Sequence, residues 1–185
     1  MGHHMPRLQT SPHDHRAYRY LTLANQLRVL LIEDHKTEKS AAALAVQVGQ
    51  RNWLIDLTEA GEILAVPPLA TVPLAEPWFR GLASVRGNLF GVVDFASFHG
   101  DAPIPPVGHA RLLLIGVRHE LNCAILVSRA LGLRSIDDFE VASSTADPEH
   151  PWIGDVLHDS LGTPWTRLKV AELLNHPRFL DAAQS

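Results

Sequence analysis

Leu44-Ala-Val-Gln-Val-Gly-Gln-Arg-Asn-Trp-Leu-Ile-Asp-Leu57 decides the architecture. Leu44, Val46 and Val48 take every second position, Gly49-Gln50 punctuates, and Trp53, Ile55 and Leu57 resume the alternation. A period of two belongs to a strand with one buried face, and two such runs around a short glycine turn read as a β-hairpin. Downstream, Thr58–Leu64 reads as a turn or short strand carrying Glu62. Pro67, Pro68, Pro73 and Pro77 then exclude helix, so that stretch is extended loop. Leu89–Phe95 is an apolar strand running to Phe98-His99-Gly100. Residues 101–108, with Pro103, Pro105, Pro106 and Gly108, read as a connector between lobes.

The second half continues in short strands and turns, without an internal sequence repeat. Arg111–Arg118 reads as a buried strand with Cys123–Val127 as its hairpin partner, and Leu131–Phe139 as a glycine turn with a short strand. Ala142–Pro151 reads as polar loop, and Trp152–Val156 and Trp165–Leu168 as short strands. Val170, Leu173, Leu174 and Leu180 recur near helical spacing, which predicts a C-terminal helix interrupted at Pro177. Many short strands joined by Gly/Pro turns indicate a mostly β fold of small barrels.

Upstream, residues 1–16 are polar and histidine-rich and read as a poorly ordered tail, with His13 and His15 as surface groups lacking a third metal ligand. Residues 17–40 fit two strands around Asn25-Gln26. Leu21–Ile32 also fits an amphipathic helix, through Leu23, Leu27, Leu30 and Leu31, and the strand reading is adopted. Glu33–Ser40 is a charged connector.

The chain has 185 residues, of which 46% are hydrophobic and 19% charged, so it can build a core without staples. Its 16 basic and 20 acidic residues give a net charge of −4, which argues against a general nucleic-acid or anionic-membrane binder. No run approaches the roughly 18 apolar residues of a membrane span. One cysteine, Cys123, excludes an internal disulfide and fits a reducing, cytoplasmic setting.

Catalytic patterns are missing. The sequence holds no HExxH, HxxEH, Gly-rich phosphate loop or GxSxG elbow. Cys123 sits in an apolar strand and reads as a buried, inert thiol. Asp155, His158 and Asp159 read as a polar loop, and Asp94 as a strand-end residue meeting backbone donors. The eleven histidines are scattered and read as solvated loop groups. No cofactor, no metal and no enzymatic activity are expected.

Residues 62–95 carry more specific information. Glu62-Ile63-Leu64, Val72-Pro73, Pro77-Trp-Phe-Arg-Gly-Leu82, Val85-Arg-Gly-Asn-Leu89 and Val92-Val-Asp-Phe95 resemble the CheW family of chemotaxis adaptors in order and spacing. Leu112–Gly116, Ala124–Val127 and Gly132-Leu133 fit the family's weaker second half, and the resemblance runs from Ala41 to Leu174. Trp53, Trp78-Phe79 and Arg178-Phe-Leu180 most resemble the branch serving type IV pilus chemosensory systems. Ser84 departs from the family's usual Asn two residues before the Arg.

The resemblance implies two five-stranded β-barrel lobes packed side by side over 41–180, with a connector near 100–110 and a C-terminal helix. It implies a cytoplasmic adaptor whose partners are the regulatory domain of a CheA-like histidine kinase and the cytoplasmic tip of a methyl-accepting chemoreceptor. The output would be twitching motility, with no nucleic acid bound and no membrane insertion. Glu62 and Arg86 match a charge pair near the partner surface. Gly87, Trp78 and Phe79 complete the expected partner-binding set, although a Trp-Phe pair after proline fills a core as readily as it docks a partner.

Residues 19–49 depart from the family and resemble the first strands of insulinase-family metallopeptidases, without the zinc motif that should follow. The rival readings are therefore a metallopeptidase-derived fragment and a β-barrel peptide-binding module with no chemotaxis role.

Overall fold

A computed structural model describes residues 17–22, 28–33, 42–116, 119–144 and 147–183. The tail over 1–16, its His13 and His15, the Asn25-Gln26 turn and most of the 33–40 connector lie outside the described residues. The chain divides into two units, 1–40 and 41–185. In the first, β1 (Ala17–Thr22) and β2 (Arg28–Glu33) form an antiparallel ladder from Ala17↔Glu33 to Thr22↔Arg28, so the strands and not the helix are realised.

The second unit holds two sheets. The first comprises β5 (Ala60–Ala65), β6 (Leu69–Ala70), β7 (Phe79–Val85), β8 (Asn88–Asp94), β9 (Arg111–Ile115) and β10 (Cys123–Val127), in the order β5-β9-β10-β8-β7-β6. The second comprises β3 (Ala42–Val48), β4 (Arg51–Asp56), β11 (Arg129–Ser135), β12 (Phe139–Ser143), β13 (Ile153–Asp159) and β14 (Pro164–Leu168), in the order β11-β3-β4-β14-β13-β12. Three short helices, α1 (Phe95–Phe98), α2 (Val170–Leu174) and α3 (Pro177–Leu180), complete the unit. None is long and apolar enough to cross a membrane.

The class is β, as expected, but each lobe is an open six-stranded sheet and not a closed five-stranded barrel. Each sheet is nevertheless strongly curled. A flat six-stranded sheet would be about 24 Å wide. Yet the edge strands β5 and β6 are joined only by Val66-Pro67-Pro68, and the edges β11 and β12 only by the 3-10 turn Ile136–Asp138. Four residue steps span at most about 14 Å, so opposite edges must swing together. Pro67 and Pro68 carry no N–H, which removes the donors a closing ladder would need at that point.

Alternation along β3 and β4 distributes side chains to two cores. Leu44, Val46, Val48, Trp53 and Ile55 enter the larger core, shared with the first sheet and the C-terminal helices. Ala43, Ala45 and Leu54 point the other way, into a smaller core with Leu157 and Trp165. Alanines suit the narrow inside of a tightly curled sheet.

Several local readings change. The apolar run Leu89–Phe95 does not continue as strand to Phe98. Buried Asp94 caps α1, accepting from Ser97 N at 3.2 Å. It also accepts from Ile104 N at 2.8 Å and Arg80 Nη1 at 3.3 Å, so backbone donors and one guanidinium satisfy it. Residues 101–110 do not join the lobes. They link α1 to β9 within the first sheet, and Asp94 fastens them through Ile104. The chain crosses between sheets at β4–β5 and β10–β11 instead. Asp155, His158 and Asp159 lie on β13 and not in a loop. The single C-terminal helix is two, α2 and α3, with Pro177 opening the second.

Candidate functional site

Glu62 and Arg86 meet. Arg86 Nη2 donates to Glu62 Oε1 at 2.7 Å, with side chains 77% and 41% exposed respectively. Glu62 lies on β5, and Arg86 in the turn between β7 and β8, strands separated from β5 in the hydrogen-bonded order by β9 and β10. Only the curl of the sheet brings them together.

The turn itself is strained. Val85 pairs with Asn88, leaving Arg86-Gly87 as a two-residue loop with φ of 52° and 83°. Positive φ at both central residues is the type I′ hairpin geometry, which favours Asn-Gly. Gly87 meets that requirement freely, and open space surrounds its missing Cβ. Arg86 meets it at a steric cost. Beside the pair, Leu89 is 60% exposed, directly opposite Ser84. The sequence placed Leu89 at the start of an apolar strand and did not single it out as surface. Leu89 is laddered to β7 alone, because β10 joins β8 only from Gly91 onward.

Trp78 and Phe79 are elsewhere. They sit at the other end of β7, about 20 Å along the strand from Arg86. Trp78 is only 4% exposed and packs on Phe98 and Phe179 with ring centroids 5.1 and 6.4 Å away. Its side chain is buried in the core, so any part it has in a partner surface is played from beneath that surface. Phe79 is half-buried and lies across Gly91, where an added Cβ would sit 3.2 Å from its ring. The expected set therefore splits into an exposed charge pair on its turn and an aromatic core 20 Å or so away.

A second cluster was invisible in the sequence because its members are far apart along the chain. His99, His150 and His176 are not isolated loop groups. Ring contacts run Trp53–His99 at 5.5 Å, His99–His150 at 5.5 Å, His150–Trp152 at 5.2 Å and Trp152–His176 at 4.9 Å. Arg51 Nη1 lies 2.9 Å from His99 Nε2. Because a guanidinium only donates, Nε2 must accept, and the ring is neutral. Burial first, then the Arg51 charge, lowers the His99 pKa below its ordinary 6.5, against an opposing pull from Asp101. Arg178 completes the C-terminal side, donating to Phe98 O at 3.0 Å with its guanidinium 4.8 Å over the Phe98 ring.

The remaining candidates are structural. Burial pushes the Cys123 thiol up to about 12, far from a nucleophile. At Asp159, burial opposes ionisation, but donors from Thr163 N, Trp165 Nε1 and Leu161 N outweigh it and hold its pKa down. Among the described residues no group of three or more His, Cys, Asp or Glu is arranged to hold a metal ion.

Comparison with known proteins agrees with this architecture. Protein PilI of Pseudomonas aeruginosa is 26% identical over 148 residues, covering 78% of this chain and 82% of PilI. The crystal structure of the scaffolding protein TtCheW from Thermoanaerobacter tengcongensis superposes with a TM-score of 0.61 at 12% identity, covering 75% of this chain and 95% of that one. Insulin-degrading enzyme of Homo sapiens is 51% identical over 49 residues, but these are 26% of this chain and only 4% of that enzyme. The CheW-like domain family matches residues 42–178, both curled sheets and α2 up to the start of α3, and the chain belongs to that family.

Proposed function

We propose that this chain is a cytoplasmic signalling adaptor with no chemistry of its own. It couples the cytoplasmic tip of a chemoreceptor to the regulatory domain of a CheA-like histidine kinase, in a system controlling type IV pili and twitching motility. Membership of the CheW-like family and the likeness to PilI support this reading. The observation that carries it is the Arg86 turn. An exposed arginine held at positive φ, paired with Glu62 and flanked by exposed Leu89, is hard to explain by stability. Backbone strain of this kind persists where a surface is kept for another use. Arg86, Glu62, Gly87 and Leu89 form one face on which an apolar anchor sits beside charges that set register. Phe79 belongs to a separate patch, and Trp78 supports it from within.

The experiment is size-exclusion co-elution with the regulatory domain of the kinase from the same genome. Wild-type protein co-elutes, and Arg86→Ala, still folded, does not. Undiminished co-elution of a folded Arg86→Ala protein would place the kinase surface elsewhere.

A further inference from the structure

The molecule carries net charge −4, yet one cavity is lined by two arginines and a histidine with no acidic residue. Its volume is about 320 Å³, and its walls are His109, Arg111, Arg129 and Ala130. The site lies where the chain crosses from one sheet to the other. Arg111 opens β9 and faces Val127 across the β9–β10 ladder, two residues before Arg129 opens β11. The crossing thus brings two arginines from different sheets to one end of the unit. A second cavity, of about 300 Å³ near the β4–β5 crossing, differs in kind. Asp56, Glu59 and Asp155 share its walls with Arg167 and Lys169, and Arg167 already lies 3.9 Å from Asp56.

Three features favour an anion in the cationic cavity. First, Arg111 is oriented: its Nη1 donates to Gly108 O at 3.1 Å and Ala110 O at 2.7 Å, which leaves Nη2 and Nε as uncommitted donors. Second, neither arginine nor His109 has an acidic partner among the described residues. Third, gathering like charges is unfavourable until a counter-charge arrives, so this cluster is poised for one. Guanidinium forks match tetrahedral oxyanions in geometry. Two arginines and a histidine suit a dianion better than a single carboxylate, and the volume exceeds a bare ion and admits an esterified substituent.

We propose that the His109–Arg111–Arg129 cavity is a binding site for a phosphate-type oxyanion, free or carried as a phosphomonoester. The site is independent of the Glu62–Arg86 surface and of the adaptor reading.

The test titrates the full-length, isotope-labelled protein with inorganic phosphate and with phenyl phosphate at low ionic strength, following backbone amides by NMR. Sodium chloride at matched ionic strength and acetate serve as controls. Saturable shifts confined to residues 108–111 and 128–131 are expected. Arg129→Gln and Arg111→Gln should each weaken binding about tenfold or more. Arg129 is exposed, and its side chain has no hydrogen bond or ion pair among the described residues, so its variant remains informative if Arg111→Gln unfolds. Tighter binding of phenyl phosphate identifies an esterified ligand, and equal or tighter binding of phosphate identifies the free ion. Absence of saturation, equal shifts with sodium chloride or acetate, or unchanged affinity in folded Arg129→Gln would overturn the assignment.

Discussion

Replacing Arg86 with asparagine separates the turn's strain from its surface role. Arg86 holds φ of 52° beside Gly87 at 83°, and the Val85↔Asn88 pair closes the loop at two residues. A residue with a Cβ in this left-handed region costs roughly 1–2 kcal/mol, and asparagine recovers a good part, about 1 kcal/mol. Against that stands the ion pair with Glu62. At 77% and 41% exposure and 2.7 Å, it is worth about 0.2–1 kcal/mol. Arg86→Asn should therefore be as stable as wild type or up to about 1 kcal/mol more stable, which for a chain of this size raises Tm by at most about 4 °C. Arg86→Ala loses the pair and keeps the strain, so it should fall below Arg86→Asn by about 1 kcal/mol. Urea denaturation of the three proteins measures the order, and co-elution with the kinase regulatory domain measures the surface. The adaptor reading expects both variants to lose binding while Arg86→Asn keeps or gains stability. If Arg86→Asn is destabilised by more than about 2 kcal/mol, the guanidinium is a structural element and the strain argument fails.

Trp78→Ala should cost about 3–5 kcal/mol by chemical denaturation, because it empties a site walled by Phe98 and Phe179, and half-buried Phe79→Ala should cost clearly less. Gly81→Ala should cost about 2 kcal/mol or more and release β6 from β7: at φ of 112°, an added Cβ would run into the Ala70 carbonyl oxygen, a change visible as lost hydrogen-exchange protection at Leu69–Ala70 and Leu82–Ala83. His99 has its pKa lowered in the fold, so the native state binds fewer protons than the unfolded chain; its contribution is full above pH 6.5 and is lost as pH falls through the folded value. Denaturation at pH 7.5 and 5.5 should show this loss, and Arg51→Ala should shrink it without abolishing it, since burial, the larger cause, and His150 still lower the pKa while Asp101 and Asp147 raise it. Ala45→Leu should cost about 1–3 kcal/mol by overfilling the smaller core between Leu54 and Trp165, and a neutral result would mean that core has slack.

What the sequence disclosed follows from which forces leave a periodic trace. β3, β4, β9 and β10 alternate or run apolar because both sides meet a core, so their limits were close to legible. β12 was not, because an edge strand exposed from Glu140 to Ser143 has no buried face to impose a pattern, and its last residues read as polar loop. Asp94 broke an apolar run, and that charge was the available sign that the strand ends in a helix cap. Trp78 could not be assigned, since burial and docking select the same aromatic. The positive φ of Arg86 left no trace beyond the glycine after it. The Glu62–Arg86 contact came from resemblance, not periodicity. It depends on sheet curl, which short links between opposite edges impose and which no single strand encodes.

Residues 42–48 fall both in the stretch that resembles insulinase-type peptidases and in the span that the CheW-like family matches. Residues 19–49 include β3, yet β3 is interior to the second sheet, paired with β4 on one side and β11 on the other. A sheet asks little of such a strand. Its ladder bonds are made by backbone groups common to all residues but proline. Its faces need only the correct alternation, because a one-residue slip would send Leu44, Val46 and Val48 into the narrow interior and the alanines into the larger core. The sequence Ala-Ala-Leu-Ala-Val-Gln-Val meets that demand whatever its origin. The residues that cannot be exchanged so freely are those tied to one geometry: Gly81 against the Ala70 carbonyl, Asp94 receiving Arg80 and Ile104, and Arg86-Gly87 closing a two-residue loop. All lie in the 62–95 block from which the family is recognisable. A strand is selected by pattern and a turn by identity, so β3 meets the fold's demand by alternation, whereas the 62–95 block carries the residues by which the family is recognised.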